Sequence, residues 1–366
     1  MTLSKNRFLS LDVFRGLDIA LMIIVNSPGS WSTTYAPLLH AEWHGFTLTD
    51  LVFPTFLFVV GNAMSFSLKK YEAAGNGAFF KKILKRTAII FLLGFLMYWF
   101  PFFENGGLKP LSDTRIFGVL QRIALCYFFA SVLLHYLSKK QVIWFAVLSL
   151  IAYNLILVLF GDLTLEGNAV LKLDKWLIGE SHMYHGEGIA FDPEGLLSTL
   201  PAISNVIAGY LAGLFIQKKG QDFEAVAKLM LAGFALILIA LSWDLFFPIN
   251  KKLWTSSFVL LTSGIDLIAI AALVYLLDMK KTTGWTYFFE VFGRNPLFIY
   301  LLSELIVITL FEVRIGDTSA YGWIAHHIFM DNAGDYLGSF LFALWIMLTC
   351  WVVGYFMDKR KIYVKV

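Results

Sequence analysis

About ten long apolar segments follow one another along this chain of 366 residues. A helix needs about 20 apolar residues to cross the hydrocarbon core of a bilayer, and in lipid only helices and closed barrels satisfy their own backbone hydrogen bonds. The sequence therefore predicts an all-α fold: a polytopic membrane helix bundle of about ten transmembrane helices, forming one integral-membrane domain over residues 1–366. The approximate segments are 10–26, 47–68, 86–103, 115–137, 141–160, 195–217, 227–247, 254–277, 287–311 and 337–357.

The composition excludes an ordinary soluble domain. Hydrophobic residues make up 58% of the chain and charged residues 15%, a balance typical of membrane proteins, for which lipid is the expected surrounding partner. Cys126 and Cys350 both lie in apolar segments, which argues against a disulfide framework or a thiolate metal site. No basic patch indicates nucleic-acid binding.

Lysine and arginine residues are concentrated in alternate connections. The positive-inside rule then predicts that both termini are cytoplasmic. The connections 27–46, 161–194 and 312–336 fall on the opposite face and contain six of the seven histidines. The compact architecture predicts a protein of the bacterial inner (cytoplasmic) membrane.

Ionisable residues also lie inside the apolar segments, where each costs at least ~2.5 kcal/mol on insertion scales. Asp12 and Arg15 are three residues apart on one helix and can neutralise each other. The others are Asp18, Arg122, Asp244, Asp266, Glu290, Arg294 and Glu304. They predict a hydrated interior, which suits either a transporter of sugars or small solutes or an enzyme with a charged substrate.

The stretch 40–54 places titratable groups directly before the second apolar segment. His40 and His44 are four residues apart, with Glu42 between them. A helix would bring the two imidazoles to one face, as a metal pair requires, but Ala41 replaces the glutamate of the zincin motif. A structural role at the interface and general acid/base chemistry are the other readings. No metal site is predicted.

Several motifs resemble the transmembrane acyltransferases typified by heparan-alpha-glucosaminide N-acetyltransferase and its shorter bacterial relatives. They occur in order over roughly 250 residues. The matching stretches are 10–16 (SLDVFRG), 25–26 (VN), 40–45 (HAEWHG), 49–54 (TDLVFP) with Gly61, 118–124 (GVLQRIA), 192–199 (DPEGLLST) and 247–257 (FPINKKLWTSS).

The resemblance implies acyl transfer from cytoplasmic acetyl-CoA, as co-substrate, to an amino sugar on the far side of the membrane. The family assigns catalysis to the histidine of its His-Ala-x-Trp motif, which is His40 here, and the asparagine after the first segment corresponds to Asn26. The lysosomal relative also implies a homodimer. Whether the acceptor atom is nitrogen or oxygen stays open.

The chemistry agrees with these residue types. A neutral imidazole can take a proton from an attacking amine, so His40 is the candidate base. Asn26 can donate to the tetrahedral oxyanion without bringing a charge of its own. An alternative is attack by His40 itself, which would form an acetyl-imidazole.

Further residues are expected to bind the two substrates. CoA phosphates require cations, and the candidates within segments are Arg15, Arg122 and Arg294, each of which can instead snorkel or pair with a carboxylate. The saccharide contacts are predicted from the matched motifs on the outer face. These are Asp50, Glu194, Asn250, Lys251 and Trp254. Trp254 can alternatively anchor at the membrane interface.

Overall fold

The computed structural model describes residues 8–72, 75–104, 106–219 and 222–364, and within that part of the chain the fold is mainly helical, with long connections between some of the helices. The α-helices are α1 (Leu9–Asn26), α2 (Leu48–Glu72), α3 (Asn76–Trp99), α4 (Val119–Tyr136), α5 (Lys139–Phe160), α6 (Ala169–Ile178), α7 (Thr199–Lys219), α8 (Phe223–Asp244), α9 (Ser256–Leu273), α10 (Thr286–Arg294), α11 (Pro296–Glu312), α12 (Ala320–Ile324), α13 (Asp331–Ala333) and α14 (Asp335–Lys359). Two π-helical turns, Val274–Met279 and Ala325–Met330, extend α9 and α12.

The strands of the described part of the chain form two short antiparallel hairpins. Phe103–Glu104 (β1) pairs with Gly107–Leu108 (β2). Arg314–Ile315 (β3) pairs with Thr318–Ser319 (β4). Both hairpins lie in connections between helices, so the predicted all-α class is confirmed.

Seven of the described helices are long and apolar enough to cross a membrane, or eight if α10 and α11 together form one bent span. The two remaining predicted segments are occupied by α1 and α3, which have 18 and 24 residues. In each of them every stretch of 18 residues contains at least three charged side chains, which are Asp12, Arg15 and Asp18 in α1 and members of the basic cluster at 81–86 in α3. The polytopic membrane bundle is confirmed, and α1 and α3 account for the difference from the predicted count.

The predicted segment 287–311 is not one continuous helix. Its two parts, α10 and α11, meet at an angle of 86°. Pro296 has no amide hydrogen to donate and disfavours the helical conformation of the residue before it. Asn295 accordingly has φ −132° and ψ 49°, which ends α10 and lets α11 start in a new direction.

The centre of the bundle is formed by α2, α7 and α9, while α5 and α8 lie at the periphery. In the most apolar window of α2, 72% of the residues are buried, against 28% for α8. A Cβ on Gly61 of α2 would lie 1.8 Å from the carbonyl oxygen of Val206, and one on Gly209 of α7 would lie 1.8 Å from that of Phe58. Glycine at these positions permits the close backbone approach that helix pairs in membranes use for packing.

Candidate functional site

A polar cavity of about 330 Å³ lies between α1, α2, α3, α4 and α11 and is covered by the connections that precede α2, α4, α7 and α9. Four of the predicted site residues line it, namely Asn26, His40, Glu194 and Lys251. Its other acidic and basic side chains are Arg115, Glu187, Lys252 and Glu304. Aromatic side chains at 31, 53, 98, 184 and 300 complete much of the wall. The fold therefore brings together residues that are up to 278 positions apart in the chain.

His40 is held by Asp50, which lies in the first turn of α2 and is 1% exposed. The imidazole Nδ1 is 2.7 Å from Oδ1 of Asp50. The other carboxylate oxygen accepts from the backbone amides of Ala41, at 3.1 Å, and Thr47, at 3.0 Å. Because a carboxylate only accepts, this arrangement favours the tautomer with the proton on Nδ1 and a lone pair on Nε2.

Lys251 lies against the same imidazole, with its Nζ 3.1 Å from Nε2 and 3.2 Å from Nδ1. Burial, followed by the charge of Lys251, lowers the pKa of His40 from its ordinary value of 6.5, and Asp50 opposes both effects. Burial also lowers the pKa of Lys251. His40 is therefore held in its neutral form near pH 7, which is the form that can accept a proton.

Asn26 is the last residue of α1, and its side chain opens into the cavity. Its amide group interacts with the carboxyl group of Glu304 on α11. The amide nitrogen has two hydrogens, so it can donate to a ligand as well as to this carboxyl group. Asn26 and His40 thus belong to one cavity, as their positions at the ends of adjacent segments predicted.

Arg115 clamps the two carboxylates of the 192–194 motif. Its Nη2 lies 2.6 Å from Asp192 and 2.6 Å from Glu194, and its Nε lies 3.1 Å from Asp192. The guanidinium packs on the rings of Tyr98 and Tyr184, at 4.9 and 4.7 Å from the centroids. Burial raises the pKa of Asp192 despite Arg115. For Glu194, burial also acts to raise the pKa, but the neighbouring cations outweigh it and the pKa lies below its usual range.

Arg115→Ala is expected to lower the free energy of unfolding by about 3–5 kcal/mol, because it leaves two buried carboxylates without their cation. The thermal unfolding midpoint of the purified protein in detergent measures the effect. Arg314→Ala, which removes an exposed arginine from β3, is the matched control. Equal midpoints for the two variants would show that the clamp does not contribute to stability.

A second cavity, of about 150 Å³, lies between the same five helices, further from the ends that carry Asn26 and His40. Arg15 and Arg86 line it together with apolar side chains. Arg15 donates to the carbonyl oxygen of Gly293, at 3.1 Å, and lies 3.6 Å from Asp12. Arg86 packs on the ring of Tyr127, and its Nε has no hydrogen-bond partner among the described residues. Two guanidinium groups thus line a cavity that is otherwise largely apolar.

The other predicted arginines lie elsewhere. Arg122 is 1% exposed and donates to the carbonyl oxygen of Gly195, at 2.9 Å, and to Ser198. Arg294 pairs with Asp358, at 2.5 Å, and with Glu290, at 2.8 Å. Neither arginine lines the two cavities. For Arg294 the structure has the carboxylate-paired arrangement that was the alternative reading of its sequence.

Two predicted saccharide contacts lie behind the cavity wall. Asn250 is fully buried, accepts from the amide of Leu253 at 2.8 Å and lies 3.3 Å from Nδ1 of His44. Trp254 is 1% exposed, and its indole donates to Asn205 at 3.1 Å. Both residues hold the turn that presents Lys251. His44 therefore has a different partner from His40.

Sequence reasoning missed Arg115, Trp31, Tyr184 and Glu187 in the cavity wall. Arg115 was hidden because the fourth segment was predicted to begin at 115, whereas α4 begins at Val119. A basic residue in a connection on the outer face, where lysine and arginine are few, is an available signal for Arg115. Trp31, Tyr184 and Glu187 belong to no sequence motif that would have indicated a functional role.

The fold and the cavity define a class: an integral membrane helix bundle with an internal polar cavity that contains a histidine–carboxylate pair. A family model described as "Heparan-alpha-glucosaminide N-acetyltransferase, catalytic" matches residues 7–242. This match covers more than half of the chain, so the chain belongs to the heparan-alpha-glucosaminide N-acetyltransferase family of membrane transferases.

Two curated relatives match nearly the whole chain. Heparan-alpha-glucosaminide N-acetyltransferase of Mus musculus is 27% identical over 425 residues, which covers 99% of this chain and 61% of the relative. The Homo sapiens protein of the same name is 26% identical over 422 residues, which covers 98% of this chain and 60% of the relative. The chain thus spans about three-fifths of the length of these relatives.

Proposed function

We propose that this chain transfers an acetyl group from cytoplasmic acetyl-CoA to an amino sugar or a related saccharide on the non-cytoplasmic side of the bacterial inner membrane. The observation that carries the proposal is the convergence of His40, backed by Asp50, with Asn26 on one cavity. Membership of an N-acetyltransferase family supports the reaction class.

In the proposed reaction the neutral His40 takes a proton from the acceptor amine as the amine attacks the thioester carbonyl. The C–N bond forms, the C–S bond breaks, and the protonated imidazole returns its proton to the thiolate of CoA. Asn26 donates a hydrogen bond to the tetrahedral oxyanion. Asp50 orients the imidazole and stabilises its protonated form, a role we prefer to the sugar contact expected from its motif.

The donor is proposed to extend through the bundle between the two cavities. On α1, Met22 lines the first cavity and Arg15 the second; these residues are seven apart, or roughly 10 Å along a helix. Acetyl-CoA would then place its thioester beside His40 and its phosphates near Arg15 and Arg86. Arg86 is the stronger proposed phosphate ligand of the two, because its buried Nε has no hydrogen-bond partner among the described residues whereas Arg15 is bound to Gly293 and Asp12.

The proposal is tested by measuring the release of CoA thiol from purified protein supplied with acetyl-CoA and a panel of amino sugars. Acceptor-dependent release supports it. A protein that releases no thiol with any acceptor, but takes up saccharide when reconstituted in vesicles, is a transporter and refutes the proposal.

Arg86→Gln is expected to raise the KM for acetyl-CoA by roughly 10–100-fold with a small change in kcat, since a hydrogen bond to a charged group contributes about 1.5–3 kcal/mol. Steady-state kinetics with varied acetyl-CoA measures this. Lys140→Gln, at an exposed helix start, is the control. An unchanged KM in Arg86→Gln would remove the second cavity from the donor site.

Lys251→Gln is expected to move the acid limb of the kcat/KM profile to higher pH. The charge of Lys251 lowers the pKa of His40, so its removal lets that pKa rise, and protonated, inactive His40 then persists to higher pH. Lys252→Gln is the matched control, because Lys252 pairs with Glu187 instead. A limb that stays in place in Lys251→Gln would contradict His40 as the titrating base.

A further inference from the structure

Glu304 lies in the wall of the first cavity, on α11, one turn after Tyr300. Its carboxyl group interacts with the side chain of Asn26, the residue proposed to donate to the oxyanion, and both side chains line this cavity. Glu304 lies beyond residues 7–242, the part of the chain that the family model matches. The sequence marked it only as one of several ionisable residues within apolar segments.

The other carboxylates of the cavity are paired with cations. Glu194 is bound by Arg115, and Glu187 by Lys252. Among the ion pairs of the described residues, none includes Glu304. A carboxylate in a membrane helix is costly unless it faces water or meets a partner, so this position favours a ligand that brings its own positive charge.

An amino sugar brings such a charge, because its amine is an ammonium ion near neutral pH. The nitrogen must lose two protons on the way from ammonium to amide. One proton ends on the thiol of CoA, and the second has to leave the site. His40 has one basic ring nitrogen, Nε2, and carries one of these protons, so the reaction needs a second acceptor.

We propose that Glu304 binds the ammonium group of the acceptor and takes the first of its two protons, an inference that rests on the proposed acetyl transfer. In this step an N–H bond breaks, an O–H bond forms on the carboxylate, and the nitrogen recovers its lone pair. His40 then takes the second proton as the C–N bond forms. Glu304 finally releases its proton to the water of the open cavity.

Among the described residues, the groups that pack around Glu304 include no second carboxylate or cation on the helices next to it that would take over the proton transfer. Its titratable neighbours are Tyr98 on α3, Tyr300 on α11 and Tyr321 on α12. The charged and titratable groups elsewhere in the cavity wall are His40, Arg115, Tyr184, Glu187, Glu194, Lys251 and Lys252. Helix α14 also packs on α11. Between its Asp335 and Asp358 it contains no Asp, Glu, Lys, Arg or His.

The test compares Glu304→Gln with wild type in the full-length protein, using acetyl-CoA with glucosamine and, separately, with glucose as a matched acceptor that has no ammonium. We expect the KM for glucosamine at pH 7 to rise at least tenfold. We also expect the activity of the variant to increase with pH toward the pKa of the amine, because free amine must then come from solution. Any loss with glucose should be at least tenfold smaller.

Two further variants separate this role from a structural one. Glu304→Asp keeps the charge and should retain the wild-type pH profile with glucosamine. Glu312→Gln, at the exposed end of the same helix, should behave as wild type. If Glu304→Gln keeps the wild-type KM and pH profile for glucosamine, or loses activity equally with both acceptors, the inference is wrong. A wild-type protein that transfers acetyl to no acceptor instead refutes the proposed function.

Discussion

His40→Ala is expected to lower kcat/KM for acceptor-dependent CoA release by roughly 10²–10⁴-fold, the usual contribution of a general base. The reason is geometric and electrostatic. Asp50 holds Nδ1, which leaves the lone pair of the ring on Nε2, 3.1 Å from Nζ of Lys251, and burial with the charge of Lys251 keeps the imidazole neutral. The measurement is thiol release at saturating acetyl-CoA with varied amino sugar.

His44→Ala is the matched control, because His44 lies outside the cavity wall and is bound to Asn250. It should retain most of the activity. In wild type, the rate should fall as the pH drops through the pKa of His40, which lies below 6.5. Full activity in His40→Ala would refute the mechanism.

A rapid-quench experiment on the wild-type protein distinguishes direct acetyl transfer from a route through acetylated His40. An acetylated His40 peptide, isolated by rapid quench after mixing with acetyl-CoA in the absence of acceptor, would favour the acetyl-imidazole intermediate. Direct transfer predicts that no such peptide accumulates. Either route uses the lone pair on Nε2, so the experiment has to be done on the reacting enzyme.

Asn26→Ala is expected to lower kcat by about 10²–10³-fold while the KM for each substrate changes little. Removing one oxyanion donor costs about 2.7–4 kcal/mol of transition-state stabilisation, and the oxyanion exists only in the transition state and its intermediate. Asn26→Asp should be equally impaired, because it replaces the donor with an acceptor beside Glu304. Steady-state kinetics at varied acetyl-CoA and varied acceptor separates kcat from KM.

Asn332→Ala, which removes an exposed amide outside the cavity, controls for general effects of losing an asparagine. If Asn26→Ala raises the KM for the saccharide and leaves kcat intact, Asn26 is a ground-state contact of the acceptor. That result would contradict its assignment to the oxyanion and would transfer the role to another donor in the cavity, such as Lys251.

Much of the architecture follows from local properties of the sequence. Nine of the ten apolar segments correspond to single helices, because the requirement to satisfy the backbone in lipid leaves few alternatives. The tenth was predicted as continuous and is broken at Asn295–Pro296. The proline was visible in the sequence, but the 86° angle results from how α10 packs on α1 and how α11 packs on its own neighbours.

The site was predictable in part. His40, Asn26, Glu194 and Lys251 were named from the sequence, and all four line one cavity. The role of each remaining residue depends on which way its side chain points as well as on its position in the sequence. Asn250 and Trp254 belong to a matched motif, yet their side chains turn into the protein and hold it together.

The sequence by itself determined the membrane bundle and the family, because hydropathy and short motifs are properties of neighbouring residues. Only the tertiary structure decided which charges meet. Arg115 reaches across 77 residues to Asp192, and Asn26 meets Glu304 from another helix. Such contacts depend on helix rotation and on the bend at Pro296, which arise from the packing of the whole bundle and leave no local pattern in the chain.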